Sequence, residues 1–309
     1  MDPLSDLLSL LKLRSVVTGG LTLRCNSAIQ WQRHEGIKCY AVVSGQCWLT
    51  VDGVSNPVLL TAGDCYLLPP GPPFCLATDL SIKPVDFRRL LEAGELDTAL
   101  SSGEAGDCRI VGGHFLLTGD HADMLLGSLP PIMHINKDSD KATMRWSLER
   151  MSEEIRNPQP GGALIAQQLA FMMLIQALRL HLADAGSTDV GWLFALADKQ
   201  LAAALTCMHD DPGHPWTLQK LSLRIGMSRS NFALRFKETV GTAPMEYLTR
   251  WRMLLACERL ESSGDAIPRI AMSLGYESES AFGKAFKRVI GRSPRQYSRQ
   301  TASTTPLPP

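Results

Sequence analysis

Residues 218–247, LQKLSLRIGMSRSNFALRFKETVGTAPMEY, and residues 267–297, IPRIAMSLGYESESAFGKAFKRVIGRSPRQY, are one pattern written twice. Leu218, Leu221 and Gly226 recur as Ile267, Ile270 and Gly275, an offset of 49. From Phe232 the offset is 50: Phe236, Lys237 and Val240 return as Phe286, Lys287 and Ile290. Gly241, Pro244 and Tyr247 then match Gly291, Pro294 and Tyr297. Each copy reads as helix, short glycine-centred turn, helix. The one-residue slip falls at the turn, where an extra residue disturbs packing least. Thr217 and Ser228 are suited to cap the two helices of the first copy, because their hydroxyls can accept from free backbone N–H groups.

Phe232 and Phe236 stand four apart, as do Phe282 and Phe286, and Val240 and Ile290 continue the same face, which must point inward. The opposite face then shows Arg229, Ser230, Ala233 and Lys237 in the first copy. In the second it shows Glu279, Ser280, Gly283, Lys284 and Lys287. Small or polar residues near the start of such a helix let it enter a major groove with its first turn toward the base edges. Lys237, Arg250, Lys287, Arg288 and Arg292 are placed to neutralise phosphates. The connecting helix, expected over Met245–Ser262, is about 27 Å long at 1.5 Å per residue. Such a strut holds two reading helices near one turn of DNA apart, about 34 Å.

The net charge of zero over 309 residues hides an asymmetry. Residues 213–300 hold 15 Lys/Arg against 7 Asp/Glu, a surplus of 8 positive charges, and the rest of the chain carries the matching negative surplus. A basic module on an acidic body is expected of a polyanion-binding domain joined to a regulatory one. Met1-Asp2-Pro3 does not begin an export signal, having neither a basic region nor a following apolar core. Eight cysteines are then expected as reduced thiols in the cytoplasm. The most apolar segment, Ala163–Leu182, is interrupted by Gln167, Gln168, Gln176, Arg179 and His181, which favours a buried or dimerising helix over a membrane span.

After a short amphipathic helix over residues 4–13, short apolar or alternating runs begin near Leu21, cut by turn residues such as Ser44-Gly45, Asp52-Gly53 and Ala62-Gly63-Asp64. They indicate a β-sandwich or small barrel, closed by a strand over Ile110–Leu117 after a loop around Leu90–Gly106. Beyond Pro130-Pro131 the period becomes helical: Met144, Leu148, Met151 and Ile155 form one stripe. A break at Pro158–Gly162 is followed by a long helix over Ala163–Ala183. A helical hairpin of this kind can pack on the barrel, pair with a second copy, or both. Asp184–Asp189 is expected as a linker, and Trp192–His209 as one helix. The whole is a multidomain α+β chain: a barrel over 1–130, the hairpin over 131–186, a helical domain over 190–300, and a disordered tail over 301–309.

The segment Trp216–Arg299 resembles the DNA-binding domain of the AraC/XylS family of transcriptional regulators. The resemblance is carried by Gly226-Met227-Ser228, Phe232…Phe236-Lys237, Gly241…Pro244…Tyr247-Leu248 and Arg252, and by Ile270-Ala271…Gly275-Tyr276-Glu277-Ser278, Phe282…Phe286-Lys287 and Gly291…Pro294…Tyr297. It implies base-reading positions at Ser230 and Ala233, and at Glu279, Ser280, Gly283 and Lys284. Upstream, Cys47-Trp48-Leu49, Ala62-Gly63-Asp64, Leu67-Leu68-Pro69, Leu129-Pro130-Pro131, Gln176-Ala177-Leu178-Arg179 and Gly191-Trp192 resemble the cupin-type sensor domain of one branch of that family. Such domains usually carry a His soon after the Leu-Leu-Pro strand, where this chain has Phe74.

Together these features imply a cytoplasmic regulator that binds double-stranded promoter DNA, forms a homodimer, and has RNA polymerase as a candidate partner and no membrane role. The alternative is a cupin-type enzyme or small-molecule carrier with an appended helical domain. Cupin enzymes need about three converging His or carboxylate ligands, whereas between Leu21 and Gly113 the only histidine is His34, expected at the surface beside Glu35. No metal, cofactor or catalytic residue is therefore expected. Two kinds of signal stay open for the barrel. An oxidant could act on Cys25 and Cys108, at the start of the barrel and after its loop; Cys39, Cys47 and Cys65 read instead as core residues. A small apolar or aromatic molecule could bind near Trp31, Trp48 and Phe74.

Overall fold

A computed structural model describes residues 2–10, 13–95, 106–117, 129–184, 191–262 and 265–304. These residues fall into two compact units, one built from 13–117 and 129–184, the other from 2–10 and 191–304.

The first unit is a pair of five-stranded sheets. Its strands are β1 (Leu13–Leu23), β2 (Ala28–Trp31), β3 (Ile37–Ser44), β4 (Gln46–Val51), β5 (Val58–Thr61), β6 (Cys65–Leu68), β7 (Phe74–Ala77), β8 (Val85–Asp86), β9 (Cys108–Leu117) and β10 (Met133–Ile135). One sheet has the order β1-β9-β3-β6-β10 and the other β5-β4-β7-β2-β8. Pairing is antiparallel except between β2 and β8. Side chains alternate across each strand. Val42, Tyr66, Leu68, Cys108 and Ile110 therefore meet Ile29, Leu49, Val51, Phe74 and Leu76 in the core between the sheets. The opposite parity of the first sheet (Ile37, Cys39, Ala41, Cys65, Leu67, Val111 and Phe115) is also buried. It is covered by the helices Asp138–Arg156 and Gly162–Asp184. Among the described residues, Gly162–Ala183 is the one stretch long and apolar enough to cross a bilayer. Its Leu169, Ala170, Met173, Leu174, Ala177 and Leu178 are buried in this packing. A Cβ on Gly113 would stand 3.0 Å from that of Ala170, so the helix lies close over β9. The hairpin is pinned by Asp64, 2% exposed, which accepts from Lys141 Nζ at 2.7 Å and lies 3.1 Å from His134 Nε2. The first hairpin helix starts earlier than its apolar stripe, at Asp138, where Asp138 and Asp140 suit the positive end of the helix dipole.

The second unit is helical: Pro3–Leu10, Trp192–Ala195, Lys199–Asp210, Leu218–Arg224, Arg229–Val240, Pro244–Ser262, Ile267–Ser273, Glu279–Ile290 and Pro294–Thr304. Four expectations change. The first helix, assigned from sequence to the barrel, packs on Lys199–Asp210 and Pro244–Ser262, burying Leu4, Leu7 and Leu8. The expected helix Trp192–His209 is two helices, because the Asp198 carboxylate accepts from the N–H groups of Gln200 and Leu201 and starts a new one. The terminal helix runs to Thr304, into the expected disordered tail; residues 305–309 lie outside the described ones. The expected loop is a helix over Phe87–Glu92 at its start, while 96–105 and the linker residues 185–190 lie outside the described residues.

Tyr247 joins the first helix to this unit through a buried polar chain. Trp192 Nε1 donates to Tyr247 Oη at 2.6 Å, and Oη lies 2.7 Å from His209 Nε2. His209 Nδ1 lies 3.4 Å from Asp6 Oδ2, which suits an arrangement in which Oη donates to Nε2 and the ring proton sits on Nδ1. Burial holds this imidazole neutral, with its pKa lowered to about 3.

Candidate nucleic-acid interface

The second helices of the two copies fold alike down to their caps, whereas the first helices differ: Thr217 caps one through its hydroxyl and Ala266 stands at the start of the other without a side-chain cap. Ser228 Oγ accepts from Asn231 N at 3.3 Å and Ser278 Oγ from Ala281 N at 3.1 Å, so both second helices begin at the same place in the motif. Both end on a left-handed glycine, Gly241 (φ 84°) and Gly291 (φ 83°), whose N–H groups reach Lys237 and Lys287 carbonyls at 2.9 Å. Phe236 meets Tyr247 edge-on at 5.7 Å and Phe286 meets Tyr297 the same way at 5.7 Å. Phe232, Phe236, Phe282 and Phe286 are fully buried, and this fixes which face each helix turns outward.

On that outward face Arg229, Ser230, Lys237, Glu279, Ser280, Lys284 and Lys287 are exposed, and Ala233 and Gly283 are half-buried. A Cβ added at Gly283 would touch nothing within 4 Å, so packing does not demand glycine there. Arg229, Lys237, Lys284 and Lys287 make no ion pair among the described residues. Most arginines elsewhere in the unit are engaged. Arg235 holds Asp198 at 2.5 Å, Arg250 holds Glu246 at 2.8 Å, and Arg269 lies 3.3 Å from Asp265. Arg295 pairs with Glu279 at 3.2 Å and so orients a carboxylate on the outward face, a contact between helices that sequence spacing does not reveal.

Arg252 turns out to be structural. Its guanidinium donates to the carbonyls of Pro212 (2.6 Å) and His214 (2.9 Å) and stands over the Tyr276 ring. It closes a junction where Gly213 and Gly275 approach backbone to backbone; a Cβ on Gly275 would strike the Gly213 carbonyl. The sequence shows Gly275 as a turn glycine and gives no signal for its partner.

In the barrel the structure divides the expected sites. Trp31 and Phe74 do converge, stacked at 4.8 Å with rings 3° apart, and Phe87 extends the stack at 5.1 Å. Trp48 does not join them: in β4 the core takes Cys47, Leu49 and Val51, and alternation turns Trp48 to the other face. Cys108 is wholly buried, and its hydrogen bond with Cys47, together with burial, raises the Cys47 thiol far above its ordinary range. Cys25 lies at the surface, its N–H bonded to Asp107 Oδ1 at 2.8 Å. Cys39, Cys47 and Cys65 are buried, as read from their strands. His34 is not a surface residue: both ring nitrogens are buried, because the residue bridges to Gly71 and its ring meets Phe74 edge-on at 5.5 Å. No group of three or more His, Cys, Asp or Glu side chains is placed to hold a metal ion among the described residues.

Two family models match the chain, one described as Cupin over residues 2–183 and one as Helix-turn-helix domain over residues 221–300. An AraC-like transcription regulator of Streptomyces lividans is 42% identical over 298 residues, covering 96% of this chain and 98% of its own length. A similar regulator of Streptomyces antibioticus is 40% identical over the same shares. The HTH-type transcriptional regulator AlkR of Acinetobacter baylyi is 30% identical over 88% of this chain and 92% of its own. These relatives are regulators rather than enzymes. The chain belongs to the AraC family of DNA-binding transcription regulators, with an N-terminal cupin domain and a C-terminal helix-turn-helix domain.

Proposed function

We propose that this regulator reads two successive major-groove segments of promoter DNA with the helices Arg229–Val240 and Glu279–Ile290, and that a small molecule received by the barrel controls that binding. The observation that carries the reading is the selective freedom of Arg229, Lys237, Lys284 and Lys287. They stand unpaired on the outward faces of twin helices while most arginines of the unit are tied to protein groups. Arg229, Lys237 and Lys287 are suited to phosphates, and Lys284 with the small residues Ser230, Ala233, Ser280 and Gly283 to base edges.

The strut Pro244–Ser262 has 19 residues, about 28 Å, which suits one turn of DNA without a palindrome. Of the two signals, a small apolar or aromatic molecule is the better supported. Trp31 and Phe74 converge, whereas Cys108 is sealed against Cys47 and Cys25 lies at the surface. The protein works in the cytoplasm as a homodimer and acts on RNA polymerase; Trp146, Leu164 and Ile165, exposed on the hairpin, support the dimer.

Footprinting tests the reading: each protomer protects a tract of roughly two turns. Lys287→Ala weakens binding at every site and lowers the salt slope by about 1. Ser280→Ala and Lys284→Ala change base preference by about 1–3 kcal/mol at one position. A tract of one turn, or a Lys287→Ala variant with an unchanged salt slope, rules the reading out.

A further inference from the structure

We propose that one end of the barrel, bounded by Lys38, His34 and His114, binds a small organic monocarboxylate whose apolar or aromatic body lies against Trp31, Phe74 and Phe87. This rests on the reading that the barrel receives the signal molecule, and it names the chemical class of that molecule.

The strand register brings the groups together. Lys38 pairs across to His114 on β9 and to Leu68 on β6, on the parity whose later members Tyr40, Val42, Tyr66 and Ile110 line the core. Trp31 ends β2 and Phe74 begins β7, directly paired, at the same end. Lys38 is only 7% exposed, and no carboxylate lies within 4.0 Å of its ammonium among the described residues. Its Nζ stands over the Phe74 ring face, 5.8 Å from the centroid. A buried, unpaired ammonium is costly, and a cation–π contact offsets only part of that cost. Leucine or methionine would fill the position better if packing were its only role. A ligand carboxylate supplies the missing counter-charge.

The neighbours set the charge of the ligand. Burial lowers Lys38 to about 8, so it remains mostly a cation at neutral pH. Burial and then the Lys38 charge lower His34 to about 4, and the same two causes lower His114, so both imidazoles are neutral there. One cation beside two neutral rings suits a single negative charge rather than a phosphate dianion. Neither His34 nitrogen makes a hydrogen bond of good geometry, although the carbonyls of Leu68 and Pro69 lie near, whereas His114 Nε2 is committed to the Glu35 carbonyl. Trp31 and Phe87 are partly exposed.

Calorimetric titration of the full-length protein with hexanoate, benzoate and 3-phenylpropanoate, each beside its neutral carboxamide, tests the site without altering the chain. At least one acid binds more tightly than its amide by roughly tenfold or more. Lys38→Met removes that preference, so acid and amide then bind alike. Without ligand it raises Tm by a few degrees, as expected when a buried unpaired charge becomes apolar. Equal binding of acid and amide, no binding of any acid at millimolar concentration, or acid binding unchanged in Lys38→Met overturns the proposal. Operator affinity is measured alongside. An acid that binds through Lys38 and leaves DNA affinity unchanged refutes control by the barrel ligand but sustains the site, whereas failed acid binding with intact DNA binding refutes the site alone.

Discussion

Two glycines of the second repeat show how differently one residue type is constrained. Gly275 sits at φ +79° and faces the Gly213 carbonyl, so an added methyl meets both backbone strain and backbone atoms. Gly283 lies inside a helix with open space beside it. Replacing it with alanine removes a residue that costs a helix about 1 kcal/mol, and thermal unfolding of Gly283→Ala should show that gain. If the helix seats in a major groove, the same methyl approaches the base edges, and specific DNA affinity falls by about tenfold, ~1.4 kcal/mol. Gly275→Ala should instead lose well over 1 kcal/mol of stability. A Gly283→Ala protein that is both more stable and unchanged in affinity argues that this face does not touch DNA.

At the level of the element, each helix proposed to read DNA has one hydroxyl at its N-cap. Ser278 supplies the cap contact of Glu279–Ile290 through Ala281 N, and Ser228 does the same for Arg229–Val240. Ser278→Ala should cost about 1 kcal/mol in urea unfolding, and Ser278→Asp should recover most of it. The aspartate brings a negative charge to the end proposed to enter the major groove of a polyanion, so its DNA affinity should stay low while stability returns. The strand elements teach a related lesson. Trp31 and Trp48 are equally good pocket residues by type, but strand parity sends one to the core side and the other away from it.

For the helical unit as a whole, the buried chain Trp192–Tyr247–His209 makes stability depend on pH. His209 is neutral in the folded protein down to about pH 3, against an ordinary value of 6.5. Above 6.5 the ring is neutral in both states, so nothing is lost. As pH falls from 6.5 toward 3, the unfolded chain takes up a proton that the folded one refuses. The loss reaches about 2 kcal/mol by pH 5. Denaturant unfolding at pH 7.5 and pH 5, for the natural protein and His209→Gln, should show a smaller pH effect in the variant; equal effects would place the titration elsewhere.

The repeat, its caps, its outward faces and the barrel's turns were all legible in the chain, because each follows from local periodicity and from residues that satisfy nearby backbone groups. Phe232, Phe236, Phe282 and Phe286 alone orient both reading helices. What the tertiary structure decided depends on partners distant in sequence. Asp198 breaks an expected helix and also anchors Arg235, the first helix belongs with Tyr247 and His209, and Gly213 meets Gly275 under Arg252. The barrel's unpaired Lys38 likewise emerged only when strand register set it beside His114 and the Trp31–Phe74 stack. Burial and counter-charge are properties of the folded neighbourhood, and no spacing along the chain encodes them.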